Sequence, residues 1–427
     1  MAFYDPELNA FVIEETDRQV FVMPEDVGAA SVYGRVLGNV IFGNTSDNKL
    51  DGREGADRLI GGSGADTYYV DDIGDEVLED RGFVDRDTVV AAVSYTLGSH
   101  VEDLTATGTA SINLTGNELV NQLIGNDGDN VLDGGMSGDL MAGGGGNDTY
   151  HVDNLDDRIL ELEDHGLDHV ITTVSWNLGS GLEILTATGS AEVTLSGNDL
   201  DNAIAGNTGA NFIYGNAGRD TLNGGGGGDV MDGGVGDDVY YVDSSDDKVL
   251  ESGSGGTGDR VYARTSYTLA SYVERLYAEG SGSISLTGNS SSNTIAGNSG
   301  ANKINGGSGM DSLTGGAGRD IFVFKDKLSR TSNVDKILDF SVKDDTIWLD
   351  NAIFKKLGLG SAASPKKLSS SFFTIGSAAK DSNDYLIYNN TKGALYYDAD
   401  GSGSGKAVLV ATLSKNLKMT NLDFFIV

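Results

Sequence analysis

Over long stretches of this chain the large apolar residues stand singly, one every nine positions, with glycine, asparagine and aspartate filling the intervals. Residues 43–69 show the pattern as "GNTSDNKLD", "GREGADRLI" and "GGSGADTYY". Three more such nonapeptides run from 125 to 151, four from 206 to 241 and three from 297 to 323. That makes thirteen in four blocks, each a variation on G-G-x-G-x-D-x-U-x with U large and apolar. A single inward residue per nine predicts very short strands separated by tight turns.

A longer period overlies the first. "DTVVAAVSYTLGSHVEDLTATG" from Asp87, "DHVITTVSWNLGSGLEILTATG" from Asp168 and "DRVYARTSYTLASYVERLYAEG" from Asp259 start 81 and then 91 residues apart. Their β-branched and aromatic content reads as strand. Three long units and a truncated fourth form an array whose neighbours bury one another's faces. No segment keeps a 3.6-residue period over three turns, although "VDKILDFSV" and "NAIFKKLGL" each suit a short helix. The fold class is therefore all-β. Residues 1–42 are expected to be an N-terminal cap, with "FVIEE" and "RQVFVMP" as a hairpin across Thr16 and Asp17. The units follow at 43–124, 125–205 and 206–296, then the final block at 297–323. Residues 324–427 are expected to form a C-terminal β cap, which a solenoid needs against end-to-end pairing.

Composition adds what the pattern lacks. Glycine numbers 62, about twice the usual share, and proline only three, which excludes collagen. Absence of cysteine excludes disulfides and thiolate metal sites. The 29 basic side chains face 64 acidic ones, a net charge of -35. Residues 325–427 carry 14 basic and 11 acidic groups, so the whole excess lies in the first 324 residues. Such a polyanion repels itself and excludes nucleic acid as a partner; it calls for a counter-ion. No 18-residue apolar run exists, so no transmembrane segment is expected. The opening "MAFYDPELNAFVIEETDRQ" lacks the pattern of a cleaved secretory signal.

The blocks resemble the calcium-binding repeats of the RTX (repeat-in-toxin) family of bacterial type I-secreted proteins. The resemblance implies a right-handed parallel β-roll, or β-solenoid, with small N-terminal and C-terminal β caps. Alternate nonapeptides then stack on the same side, position eight points into a thin core, and aspartates two repeats apart share ions. Calcium takes six to eight oxygens at roughly 2.3–2.6 Å, carbonyls included. Glycines allow positive φ and aim carbonyls inward, and position six supplies a carboxylate. The expected aspartate ligands are Asp57, Asp66, Asp139, Asp148, Asp220, Asp229, Asp238, Asp311 and Asp320. The glycines of these turns are Gly52, Gly61, Gly64, Gly134, Gly143, Gly215, Gly218, Gly224, Gly227, Gly233, Gly236, Gly306, Gly309, Gly315 and Gly318. The first nonapeptide of each block departs with Asn48, Asn130, Asn211 or Asn302, which bring a carbonyl oxygen but no charge, so these turns are expected to bind weakly or only to stack. "GGMSGDLMA" carries Ser137 where the third glycine belongs.

The first three blocks end in "VDDIGDEVLE", "VDNLDDRILE" and "VDSSDDKVLE". Asp71 with Asp75, Asp153 with Asp157, and Asp243 with Asp247 are expected to complete the last calcium site of each. Glu102, Glu183 and Glu274 recur in register and are read as structural hydrogen-bond acceptors. The charge excess asks for on the order of ten calcium ions, and extracellular calcium modules work near ~10⁻⁴ to 10⁻³ M, so folding is expected outside the cell. "NLDFFIV" at the C-terminus resembles an uncleaved type I secretion signal and also reads as a final cap strand.

Enzyme motifs are missing. The nearest approach to H-E-x-x-H is "EDHGLDHV", with glycine in place of glutamate, and G-x-S-x-G does not occur. Outside repeats and cap about 42 residues remain, few for a catalytic domain. The reading is a secreted, non-enzymatic calcium-binding structural protein of a biofilm or exopolysaccharide matrix or of the cell surface. Its expected partners are calcium, polysaccharide or the cell surface, further copies of the chain in a homo-oligomer or filament, and the type I secretion machinery. The alternative is a secreted carbohydrate-active enzyme (glycan hydrolase, lyase or epimerase) with Trp176, Tyr95, Tyr267 or Tyr277 as sugar platforms on the solenoid face.

Overall fold

The computed structural model describes residues 2–6, 8–13, 20–79, 85–161 and 165–427. Among them there is no α-helix, only strands, turns and the 3₁₀ segments Ser370–Phe372 and Asn421–Asp423. The chain divides into two units, Met1–Asn207 and Thr208–Val427. Each is a parallel β-solenoid.

In the first unit, strands Ser31–Tyr33, Lys49–Asp51, Thr67–Val70, Thr88–Ala91, Asp103–Ala106, Gln122–Ile124 and Leu140–Ala142 form one parallel ladder. Another runs through Asn113–Thr115, Val131–Asp133, Thr149–Val152, His169–Thr172, Ile184–Ala187 and Ala203–Ala205. Side chains alternate across a strand, so a three-residue strand sends only its middle residue inward. The register stacks these residues in columns. Leu50, Tyr68, Val89, Leu104, Leu123 and Met141 follow one another, all fully buried. The inter-block segments therefore continue the ladder: Val89 takes the place in its turn that Tyr68 takes in the one before.

The N-terminal hairpin is a correction. Its turn lies outside the described residues, but Ala10–Ile13 and Val20–Val22 belong to different sheets. Ala10–Ile13 pairs in parallel with Ser31–Tyr33 and antiparallel with Ala2–Asp5, while Val20–Val22 pairs in parallel with Val40–Phe42. Nearness in sequence suggests a hairpin; the open edges of two ladders offer each strand a partner instead, since an unpaired edge leaves its N–H and C=O groups free.

The second unit repeats the plan. Leu222, Tyr240, Val261, Leu276, Ile295 and Leu313 form one buried column. Leu286, Ile304, Phe322 and Ile347 form another, which ends on Phe424 of the final strand Phe424–Ile426. "NLDFFIV" is thus built into the fold as a strand. Lys366–Lys367 covers its edge antiparallel, both lysines exposed, and lysine on an edge discourages further pairing. Leu386–Asn389, Ala394–Tyr397 and Val408–Thr412 complete the cap as an antiparallel meander. Neither short helix forms. Asp335–Ile337 is a strand that buries Asp335 and Ile337 and exposes Lys336, a period of two; residues 351–357 are turns.

Candidate metal centre

Two kinds of turn occur in each stack, Asn-type turns at the start of a block and Asp-type turns after them. In the Asp-type turn the left-handed positions are two and four of the nonapeptide, for example Gly144 at φ 106° and Gly146 at φ 101°. Where glycine is missing the turn persists: Arg53 (φ 60°), Ser137 (φ 97°) and Asn216 (φ 79°) adopt it, at about 1–2 kcal/mol for a residue with a Cβ. Ser137 Oγ donates to the Glu118 carbonyl at 2.9 Å. Position one has no positive φ in any Asp-type turn, and its glycine has another cause. A Cβ on Gly52, Gly61, Gly134, Gly143, Gly215, Gly224, Gly233, Gly306 or Gly315 would run into the position-six carboxylate of the same repeat.

That closeness makes a prediction. Gly224→Ala is expected to destabilise the calcium-loaded protein by about 1–3 kcal/mol through overpacking against Asp229. Gly226→Ala, two residues on, would meet nothing closer than 3.8 Å and is expected to stabilise by about 0.4–1 kcal/mol. Paired thermal melts read the difference; equal shifts would remove the role assigned to position one.

The carboxylates themselves form a ladder. Oδ1 of a position-six aspartate accepts the backbone N–H of position six two repeats earlier: Asp57 from Asn39 at 2.5 Å, Asp66 from Asn48 at 2.6 Å, Asp148 from Asn130 at 2.7 Å, Asp229 from Asn211 at 2.7 Å, Asp320 from Asn302 at 2.8 Å. Oδ2 is different. In Asp57, Asp66, Asp139, Asp148, Asp229, Asp311 and Asp320 it is buried without a hydrogen-bond partner, although the residues are at most 2% exposed. Seven desolvated anionic oxygens would each cost about 1–3 kcal/mol or more. Burial is the main force that drives Asp57, Asp66 and Asp148 up to about 7 and Asp139, Asp229, Asp311 and Asp320 up to about 6; the N–H bond from the preceding turn opposes it and nearby carboxylates add to it.

Asparagine turns are satisfied without help. Asn121 Oδ1 accepts the Asn117 N–H at 2.7 Å while its Nδ2 donates to the Val101 carbonyl at 3.0 Å; Asn293 does the same with Asn289 at 2.8 Å and Val273 at 3.0 Å. Asn48, Asn130 and Asn302 likewise accept from position two of their own repeats. The asparagine side chains themselves are satisfied by neutral hydrogen bonds.

The two ladders of a block end in different ways. Asp75 accepts the Asp57 N–H on Oδ1 at 2.9 Å and the Asp71 and Asp72 N–H groups on Oδ2. Asp157 and Asp247 repeat this with Asp139 and Asp229. Both oxygens are engaged, so these residues close one ladder as a turn. The opposite ladder passes from Asp66 to Asp87 (2.8 Å) and ends where the Asp87 N–H donates to Glu102 at 2.9 Å. Glu183 and Glu274 accept from Asp168 and Asp259 in the same way. Asp66 is joined there by Glu79 as well as Asp87, with one carboxylate oxygen of each within 4.8 Å of the others. Asp148, Glu161 and Asp168 form the same group, as do Asp238, Glu251 and Asp259. Sequence reasoning passed over Glu79, Glu161 and Glu251, although each ends its block's shared closing phrase in register.

The aromatic candidates are engaged in packing. Tyr95 and Tyr267 hydroxyls accept the Val77 and Val249 N–H groups at 3.2 and 3.3 Å, the Tyr277 ring stacks on Tyr262 at 5.3 Å, and the Trp176 indole nitrogen is buried.

Buried, acceptor-only oxygens beside glycines that leave room fit a hard cation with a taste for oxygen, and stacked turns of this kind on a parallel β-solenoid define a calcium-binding repeat protein. The family described as RTX calcium-binding nonapeptide repeat (4 copies) matches residues 33–68, 115–150, 196–231, 220–249 and 287–322. These stretches are RTX calcium-binding nonapeptide repeats. No curated protein matches it. Four of the matches begin one nonapeptide upstream of the blocks read from the sequence, taking in "GRVLGNVIF", "GNELVNQLI", "GNDLDNAIA" and "GNSSSNTIA". Each holds a strand and carries Asn39, Asn121, Asn202 or Asn293 at position six.

Proposed function

We propose that this calcium-binding structural protein is extracellular, that its Asp-type turns close only when calcium fills them, and that it stands in a polysaccharide matrix or on the cell surface. The observation that carries the reading is the series of buried Oδ2 atoms without partners, one in each of the seven aspartates named above. Calcium would be held by those oxygens and by turn carbonyls; bound, it supplies the positive charge that the first 324 residues lack. At Gly215 an added Cβ would meet both Asp220 Oδ2 and the Gly233 carbonyl two repeats on, so backbone oxygen stands beside carboxylate in the same gap. In a calcium-poor cytosol the carboxylates repel and the chain stays open for export; outside, millimolar calcium reaches the top of the ~10⁻⁴ to 10⁻³ M range of extracellular modules. No helix among the described residues is long and apolar enough to cross a membrane.

Cosedimentation with a bacterial exopolysaccharide, in calcium and in chelator, tests the placement. Retention with calcium and release with chelator is the expected result, with light scattering on the same samples to read self-assembly. A folded, calcium-loaded chain that is never retained and stays monomeric would remove the matrix and assembly roles.

A further inference from the structure

We propose that the ends of the first three nonapeptide blocks are calcium sites of a second kind, and that these three load before the Asp-type turns. They are built by Asp66, Glu79, Asp87 and the Tyr68 hydroxyl, by Asp148, Glu161, Asp168 and Tyr150, and by Asp238, Glu251, Asp259 and Tyr240. The inference rests on the calcium reading above and adds residues that the nonapeptide does not contain.

Convergence of three carboxylates is one observation. A second, independent one points to an ion. Asp66 Oδ2 and Asp148 Oδ2 are buried without a hydrogen-bond partner in residues 1% exposed, and Asp259 Oδ2 is so in a residue wholly buried. Two of these oxygens face their clusters: a Cβ on Gly61 would run into Asp66 Oδ2 and the Tyr68 hydroxyl and would lie 2.6 Å from Glu79 Oε1, and one on Gly143 would run into Asp148 Oδ2 and the Tyr150 hydroxyl. Glycine thus keeps open a space lined by two carboxylates and a phenol. In each cluster the tyrosine hydroxyl donates to the glutamate, and in two of them it also accepts a glycine N–H, from Gly143 at 2.7 Å and Gly233 at 2.8 Å. The glutamate is held in place by that contact before any ion arrives.

The donor set is all oxygen, which selects a hard cation, and affinity for calcium rises with ligand charge and site rigidity. Three carboxylates meet here, against the single spare carboxylate oxygen of an Asp-type turn. The fourth block is the internal contrast. Phe322 occupies the tyrosine position, fully buried, and Asp345 ends the ladder with both oxygens engaged, by Asp320 N–H at 2.9 Å and Ser341 N–H at 2.8 Å. It has the turn without the site. An ion between Asp66 and Asp87 would tie a block to the segment that follows it, so early loading would fix three junctions on which the remaining turns stack.

The test is calcium titration of the full chain beside Glu79→Gln/Glu161→Gln/Glu251→Gln, in which each glutamine still accepts from its tyrosine. For the wild type we expect a first phase of three ions and a later, weaker one. The triple variant is expected to lose the first phase and three ions from the total, and still to gain β structure at saturating calcium. An unchanged count and first phase would overturn the proposal. A wild type that binds no calcium would instead overturn the reading on which it rests. If the triple variant does not fold, Glu79→Gln alone is expected to bind one ion fewer, and a wild-type count there also overturns it. Terbium gives a direct readout: tyrosine-sensitised emission in the first phase is expected to fall severalfold in Tyr68→Phe/Tyr150→Phe/Tyr240→Phe, a substitution whose fit Phe322 already demonstrates.

Discussion

In calcium-free buffer the chain is expected to hold its β structure near pH 4 and to lose it as the pH rises through about 6 to 7, the reverse of ordinary acid denaturation. Asp57, Asp66 and Asp148 are pushed up to about 7 in the fold, chiefly by burial, against roughly 3.9 in an unfolded chain. Between those values the metal-free fold binds more protons than the unfolded chain. Its stabilisation is therefore complete below about pH 4 and lost as the pH passes the folded values. Protons stand in for calcium at the same oxygens. With calcium present the ions displace them, the stable range extends to alkaline pH, and binding releases protons. Far-UV circular dichroism against pH, with and without calcium, reads this; a chelated chain equally structured at pH 4 and pH 8 contradicts it.

Asp229→Asn is expected to change sign with calcium. Asp229 is wholly buried, Oδ1 accepts the Asn211 N–H at 2.7 Å and Oδ2 has no partner. Asparagine keeps the acceptor and removes a charge that burial and the neighbouring Asp247 and Asp243 disfavour. In chelator above pH 7 the variant is expected to be more stable than the wild type by about 1–3 kcal/mol, the worth of one to two pKa units. In excess calcium it loses an ion that at a hundredfold excess over Kd stabilises by roughly 3 kcal/mol, and becomes the less stable of the two. Asp229→Ala is expected to be worse with calcium, since it also leaves the Asn211 N–H without its acceptor, a cost of about 1–3 kcal/mol. Melts of the three proteins in both buffers check the order. An asparagine variant destabilised in chelator would mean that Asp229 serves the fold by hydrogen bonding alone.

The nine-residue period made the solenoid legible, because one buried residue per strand and one carboxylate per turn leave a regular mark. It hid the turns that lack the mark. Asn39, Asn121, Asn202 and Asn293 sit in nonapeptides without the aspartate, and their turns close by side-chain amides that a search for charged ligands passes over. The block ends were half legible for a similar reason. Asp71 and Asp75 lie near the last repeat in sequence, yet Asp75 stacks on Asp57, on the other side of the solenoid from Asp66. Glu79 and Asp87 reach Asp66 because a whole turn intervenes. Glycine was legible as a residue and only half legible as a cause: positions two and four need the left-handed turn, whereas position one needs the empty volume beside a carboxylate.

The central claim is that calcium, not a side-chain core, completes the fold. Calcium titration of the chelated full-length chain at pH 8, followed by far-UV circular dichroism, tests it most directly. The account expects little β signal at the start and a cooperative gain as calcium reaches about 10⁻⁴ to 10⁻³ M. A chelated chain with its full β signal, unchanged by calcium, would contradict it.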